Sequence, residues 1–369
     1  MKILFCDNRL GGLLGFRIDI IRHLHQQGHE IVLVVPPPSS DWDKVGIQIE
    51  GVKIVYVAMN PNGHNPIADI KLFNQYIRIF KQEHPNLIFT YTIKPNIYAN
   101  ISARLLHIRT ISMVAGLGYA FEGSSLLKRM IRRMCQLGLR AAEKILVLNQ
   151  NNYDILLEHR FATKDQLVLL QGGEGVNLAC YPYAPSSYAD GVTFLMVSRI
   201  LYNKGYREFV GAARYVLKRN SNVRFELLGP TAYDSPMGVP HQVLEADRSS
   251  GAFNYLGVSN HVAQLLSRPN VVLVLPSYYP EGLNRSLMEA CAVGRPIITT
   301  NIPGCQETVD EDKNGYLVPI KDVHALAAAM ERFIQLDEDK KQTMAQHSYM
   351  LAKERFDVQE VIQLYETLI

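Results

Sequence analysis

The sequence predicts an α/β protein made of two Rossmann-like domains, each a doubly wound parallel sheet. Three observations carry this. The chain has 369 residues, enough for about two domains. Short apolar runs of strand length alternate with segments of helical period through the first half. After a break rich in Gly and Pro, the same alternation starts again. Apolar content of 47% and charged content of 20% are ordinary for a soluble globular protein.

In order, Lys2–Cys6 reads as a strand and Asp7–Gly15 (DNRLGGLLG) as a glycine-rich loop. Phe16, Ile20, Ile21 and Leu24 have helical spacing, so a helix is expected from Phe16 to Gln27, closed by Gly28. Strands Ile31–Val35 and Lys53–Val57 follow, then a helix from Ala68 to Glu83. Strand Leu87–Phe89, a helix from Asn96 to Leu106, and strands Thr110–Val114, Lys144–Leu148 and Leu167–Leu170 complete the first sheet. Gln171–Asn177 (QGGEGVN) is the expected linker. This divides the chain into a first domain over 1–175, a second over 176–354 and a final helix over 355–369. The second set has strands Val192–Val197, Val223–Leu228, Val271–Leu275, Pro296–Thr299 and Gly315–Pro319. Its helices are Tyr206–Lys218, Arg285–Val293 and Asp322–Gln335, and the tail is helical. Ligands of such sheets bind at the carboxyl ends of the strands.

Composition narrows the function classes. No apolar run has membrane-spanning length, and MKILFCDNRL has too short an apolar core for a signal peptide. Cys6, Cys135, Cys180, Cys291 and Cys305 are scattered without a CxxC pair, which argues for reduced thiols and against a zinc site. His23 and His25 diverge on a helix, so they make no metal pair. Residues 1–175 hold 20 Lys/Arg against 14 Asp/Glu, a net of +6, and the remainder 18 against 21, a net of −3. A basic first half suits an anionic membrane surface or a phosphate-bearing substrate, and chance gives the same imbalance. Nothing calls for nucleic acid.

The chemistry concentrates in Pro276–Ala290, PSYYPEGLNRSLMEA. Glu281 falls in the loop after a strand, and Glu289 inside the next helix. The amides of Gly282, Leu283 and Asn284 fall at a helix start, where unpaired N–H groups and the macrodipole favour an anion. Such a start between two carboxylates suits a nucleotide sugar, part phosphate and part polyol. A plain strand–loop–helix unit with surface glutamates gives the same pattern. Arg199 and Lys204 follow strand Val192–Val197 and could hold a diphosphate and neutralise it as it leaves, or be solvated loop cations.

SRILYNKG, PSYYPEGLNRSLMEA and GRPIITTNIPGCQETVDEDKNGYLV, in this order, resemble the nucleotide-binding half of the family-four retaining glycosyltransferases, which have the GT-B fold. Gly11-Gly12, TYTIKPNIY and Val114–Tyr119 resemble the subgroup that builds bacterial capsule, O-antigen and other glycans on polyprenyl-diphosphate lipids. The resemblance implies a UDP-sugar donor and a polyprenyl-diphosphate-linked acceptor, with no cofactor and no metal. It assigns Arg199 and Lys204 to the donor diphosphate, Glu281 to sugar hydroxyls and Glu289 to the ribose. Gly11, Gly12 and the amides of Gly282, Leu283 and Asn284 would assist in donor binding. Lys94, Gly116, Gly118, Tyr119 and Glu122 would form the acceptor side. Many relatives carry an active-site histidine that has no match here; Tyr91, Lys94 and Glu122 lie in the corresponding regions. A UDP-sugar 2-epimerase of the same architecture and a non-catalytic binding module are the alternatives.

Two further features remain. In Leu126–Arg140 the wheel puts Leu126, Leu127, Met130, Ile131, Met134 and Leu137 on one face and Lys128, Arg129, Arg132, Arg133 and Arg140 on the other. Such a helix can lie on an anionic membrane, consistent with a cytoplasmic enzyme at the inner face of the cell membrane, or pack on a core with a solvated basic face. Asp310-Glu311-Asp312 resembles a DxD metal motif but precedes a turn signal, Lys313-Asn314-Gly315, and is discounted.

Overall fold

The computed structural model describes residues 1–38, 50–60, 63, 65–116, 126–279 and 282–369, with 126–128 described by backbone alone. Two compact units result: Met1–Glu174 with Gln359–Ile369, and Gly175–Val358.

The first unit holds a parallel sheet of seven strands: β1 (Lys2–Cys6), β2 (Glu30–Val35), β3 (Lys53–Tyr56), β4 (Leu87–Tyr91), β5 (Arg109–Val114), β6 (Lys144–Val147) and β7 (Leu167–Leu169). Their order is β3-β2-β1-β4-β5-β6-β7. The winding reverses between β1 and β4, which pair in register with Cys6 opposite Thr90. Helices α1 (Leu10–Gln26), α2 (Pro66–Glu83), α3 (Ile93–Leu105), α4 (Leu126–Ala141) and α5 (Gln150–Glu158) link the strands. α5 is absent from the sequence reading. It is short, and Asn149 starts it by accepting the Asn152 amide at 2.8 Å on its side-chain oxygen.

The second unit holds β8 (Val192–Val197), β9 (Val223–Leu228), β10 (Asn254–Gly257), β11 (Val271–Leu275), β12 (Ile297–Thr300) and β13 (Gly315–Val318), in the order β10-β9-β8-β11-β12-β13. Its reversal lies between β8 and β11, where Leu195 sits opposite Leu273. Every residue of β11 is fully buried, which is why it reads as an unbroken apolar run. Helices α6 (Tyr206–Leu217), α7 (His241–Ser249), α8 (Val262–Leu266), α9 (Arg285–Ala292), α10 (Val323–Gln335) and α11 (Glu338–Arg355) cover it.

The last helix, α12 (Val358–Leu368), belongs to the first unit from Gln359 onward. The Tyr365 hydroxyl lies 3.0 Å from that of Tyr91, and Glu366 meets His23 of α1 at 2.7 Å.

α1 corrects the sequence reading. It begins at Leu10, so Gly11, Gly12 and Gly15 are helical and the expected glycine-rich loop shrinks to Asp7–Arg9. Burial of Leu13, Leu14 and Arg17 on its inner side outweighs the low helix propensity of glycine, and Phe16 points outward.

Candidate active site

Topology puts the chemistry of the second unit at its switch point, the ends of β8 and β11. From β8 the chain runs through Ser198 and Arg199 into a tight turn at Tyr202–Lys204. Gly205 follows with φ +86°, and a Cβ there would lie 2.2 Å from the Pro276 carbonyl oxygen. Only glycine permits both that backbone and that approach. The Asn203 carbonyl accepts the Tyr278 amide at 3.0 Å and the Ser277 hydroxyl at 3.3 Å. The turn after β8 is thus stitched to the loop after β11. Lys204 is only 8% exposed, with its ammonium 5.4 Å from the centre of the Tyr279 ring. A solvated loop lysine does not describe it. Arg199 is exposed and forms no ion pair among the described residues.

α9 begins where expected. Asn284 is its N-cap, and its side-chain oxygen accepts from the amides of Ser286 at 3.1 Å and Leu287 at 3.4 Å. The Asn284 amide itself donates to the Gly304 carbonyl at 2.9 Å. This corrects the reading of Asn284 as an anion-binding amide: its N–H is spent in holding the loop after β12. Leu283 N–H makes no hydrogen bond among the described residues. Gly282 also lies at this helix start. Glu281 lies outside the described residues. One turn into α9, Glu289 is largely buried. Its Oε1 accepts from the Tyr181 hydroxyl at 2.8 Å and from Arg285 Nε at 2.9 Å. Arg285 Nη1 also donates to the Gly175 carbonyl at 2.7 Å. Burial, then the Glu289 charge, pushes the Tyr181 phenol well up, so it stays a donor.

The first unit has its own strand edge at β1 and β4. The first turn of α1 carries Gly11 and Gly12, whose amides have no partner within the helix. Beneath it lies a cluster that sequence reasoning missed. Arg17 is 4% exposed and is ion-paired with Glu174 and, at 3.4 Å, with Asp7. Its guanidinium stacks 3.9 Å from the centre of the Tyr91 ring. Burial pushes the Asp7 carboxyl up to about 6, although Arg17 pulls it down. Burial also raises the Tyr91 and Tyr365 hydroxyls far above neutrality. Tyr91 stacks on Arg17 and meets the Tyr365 hydroxyl. Nothing local in the sequence links these residues; only Arg17 on an otherwise apolar helix face could have signalled a buried charge.

After β4, Thr92 has φ +66°, a backbone that side chains rarely adopt. Lys94 lies inside the first turn of α3, 2.6 Å from Asp69 and with a side chain 12% exposed. A phosphate bound there would have to compete with that carboxylate. Gly116 ends the described part of its loop, and Gly118, Tyr119 and Glu122 lie outside the described residues.

The model described as Glycosyltransferase Family 4 matches residues 11–173, and that described as Glycosyl transferases group 1 matches 184–349. The chain belongs to the family-four glycosyltransferases. Both matched descriptions are of transferases, which decides against the isomerase alternative. Over its full length this glycosyltransferase is 24% identical to N,N'-diacetylbacillosaminyl-diphospho-undecaprenol alpha-1,3-N-acetylgalactosaminyltransferase of Campylobacter jejuni, covering 99% of that protein. It is 21% identical to the Escherichia coli UDP-Gal:alpha-D-GlcNAc-diphosphoundecaprenol alpha-1,3-galactosyltransferase over 72% of this chain and 70% of that one. Anabaena Alr3699/HepE, solved with UDP and glucose, superposes with a TM-score of 0.79 at 19% identity over 100% of this chain and 99% of that one. The fold is GT-B.

Two other features of this glycosyltransferase differ from or refine the sequence reading. In α4 the buried residues include Cys135, Gly138 and Leu139, flanked by the half-buried Ile131 and Met134. Met130 and Leu137 are 50% and 53% exposed, beside the exposed Arg129 and Arg133. The single apolar face expected from the wheel is therefore split, and Arg132 is half-buried. Close packing sets this rotation: a Cβ on Gly138 would lie 2.3 Å from the Asn96 carbonyl oxygen of α3. The side chain of Lys128 lies outside the described residues. In the acidic run, Asp310 pairs with His347 at 3.1 Å and Arg355 at 3.2 Å, and Asp312 pairs with Arg332 at 2.5 Å. Glu311 accepts the Leu317 amide at 2.9 Å. Each carboxylate has a protein partner.

Proposed function

We propose that this glycosyltransferase moves a hexose or N-acetylhexosamine from a UDP-sugar to a polyprenyl-diphosphate-linked glycan in bacterial surface polysaccharide synthesis, with retention and without a metal. The observation that carries the reading is the burial of Lys204 at the β8–β11 switch point, on a turn hydrogen-bonded to the loop after β11. A cation withdrawn from water at the carboxyl ends of a parallel sheet suits a diphosphate whose charge grows as the sugar departs. In the proposed site Lys204 and Arg199 neutralise the leaving diphosphate, the amides of Gly282 and Leu283 add donors, and Glu281 holds sugar hydroxyls. Glu289 accepts from the ribose. In the first unit, the amides of Gly11 and Gly12 on the first turn of α1 are the donors we assign to donor binding. The acceptor hydroxyl attacks from the face the nucleotide leaves, and the leaving phosphate oxygen takes its proton, so the reaction asks for no separate enzymatic base. The names of the Campylobacter jejuni and Escherichia coli relatives, both acting on diphospho-undecaprenol-linked sugars, support this acceptor class.

Lys94 and the loop from Gly116 through Gly118, Tyr119 and Glu122 form the proposed acceptor side. Among the described residues no helix is long and apolar enough to cross a membrane. We place the enzyme at the cytoplasmic face of the membrane through α4, whose exposed Arg129, Arg133, Met130 and Leu137 combine charge with apolar surface. Incubation with UDP-, GDP- and ADP-sugars and an undecaprenyl-diphosphate-linked sugar tests the reaction. Transfer and nucleotide release with a UDP-sugar are expected; binding without turnover would refute it. Replacing Arg129, Arg132 and Arg133 by Glu is expected to abolish liposome flotation, and unchanged flotation removes the membrane reading.

A further inference from the structure

We infer that Tyr181 and Arg285 are positioning residues that set the preference of this enzyme for a ribonucleotide, acting through Glu289. The inference rests on the proposed assignment of Glu289 to the ribose. A glutamate carboxylate turns easily about its last torsion, which has broad minima. Here the Tyr181 hydroxyl and Arg285 Nε both donate to Oε1, at 2.8 and 2.9 Å. Oε2 takes no hydrogen bond among the described residues, so it is the oxygen left for ligand hydroxyls.

Both donors are themselves fixed. Arg285 is the first residue of α9, four before Glu289, and its Nη1 donates to the Gly175 carbonyl at 2.7 Å. One planar guanidinium thus spans from the carboxylate to the main chain, which a lysine ammonium cannot reproduce. Tyr181 comes from the segment leading into the second unit, far from α9 in sequence, and burial beside Glu289 keeps its phenol protonated. The carboxylate is therefore ordered before any nucleotide arrives, and binding does not have to supply that order. A site arranged to accept from a hydroxyl discriminates against an analogue without it.

Calorimetry on the full chain with UDP and with 2′,3′-dideoxyuridine diphosphate tests this. Wild-type protein is expected to prefer UDP. Tyr181→Phe, which keeps the ring, and Arg285→Lys, which keeps the charge, are each expected to shrink that preference about tenfold. The loss should fall on UDP alone, with dideoxy affinity held. An unchanged preference, or equal losses for both nucleotides, overturns the positioning role. Glu289→Gln separates the two ideas. If it erases the preference while Tyr181→Phe and Arg285→Lys retain it, only positioning fails. If it leaves the preference intact, or if wild-type protein has none, the ribose assignment fails and the inference with it.

Discussion

Gly205 and Pro276 approach so closely that a Cβ on the glycine would stand 2.2 Å from the proline carbonyl oxygen. This contact joins the turn carrying Lys204 to the loop that leads to α9, so the two segments are held by one backbone junction. Gly205→Ala faces both the clash and a φ of +86°. It is expected to destabilise the second unit by about 3 kcal/mol. Chemical denaturation of the variant measures this, and a change within error would mean that the loops can part without cost.

Lys204 does not share that burden. Its backbone makes the turn, while its side chain lies under Tyr279. Lys204→Ala is expected to lower kcat on the order of 10²–10³-fold. Its unfolding curve should stay close to that of the wild type. A fully active variant would remove the leaving-group role.

Asp7 gives the first unit a pH dependence. Burial holds its folded carboxyl at about 6, above the ordinary carboxylate value. Between about pH 4 and 6 the folded state binds the proton that the unfolded chain releases. This term therefore favours the folded state most at low pH, and stability falls as pH rises through that window before levelling above it. The full change is about 3 kcal/mol. Asp7→Asn cannot titrate. The difference in unfolding free energy between wild type and variant should slope from pH 4 to 6 and flatten by pH 7; a difference constant with pH would contradict it.

Gly138 tests the packing that sets the rotation of α4. Its absent side chain lets α4 lie against Asn96 and Ile97 of α3, where a Cβ would be 2.3 Å from a carbonyl oxygen and 2.7 Å from a Cα. Gly138→Ala is expected to lower stability by about 2 kcal/mol despite the better helix propensity of alanine. An increased unfolding midpoint would show that propensity wins.

Much of this was legible in the sequence, and the remainder failed for identifiable reasons. The buried strands announced themselves as apolar runs because both faces of a parallel sheet are covered, as at β11. The start of α9 was legible because good helix formers and the apolar Leu287, Met288 and Ala290 follow Asn284, which proves to be its cap. α7, β10 and α8 went unread because they are short and only partly buried, so their periodicity is weak. The glycines at 11, 12 and 15 suggested a loop because local propensity was allowed to outweigh the tertiary burial of Leu13, Leu14 and Arg17. Tyr181 and Glu174 were invisible as site residues, since their partners Glu289 and Arg17 lie more than a hundred residues away and no spacing rule connects them. The wheel of α4 grouped residues by type and could not know that Gly138 would decide which side faces α3.

Residues Gln359–Ile369 supply Tyr365 to the core beneath β4, yet in the chain they come after the whole of the second unit. On the ribosome the second unit can therefore finish folding before the first one does. Until residue 365 emerges, the first unit lacks the ring that packs on Phe89 and the hydroxyl that meets Tyr91. A nonsense mutation close to residue 358 would leave the neighbouring unit intact and cripple the one that was made first.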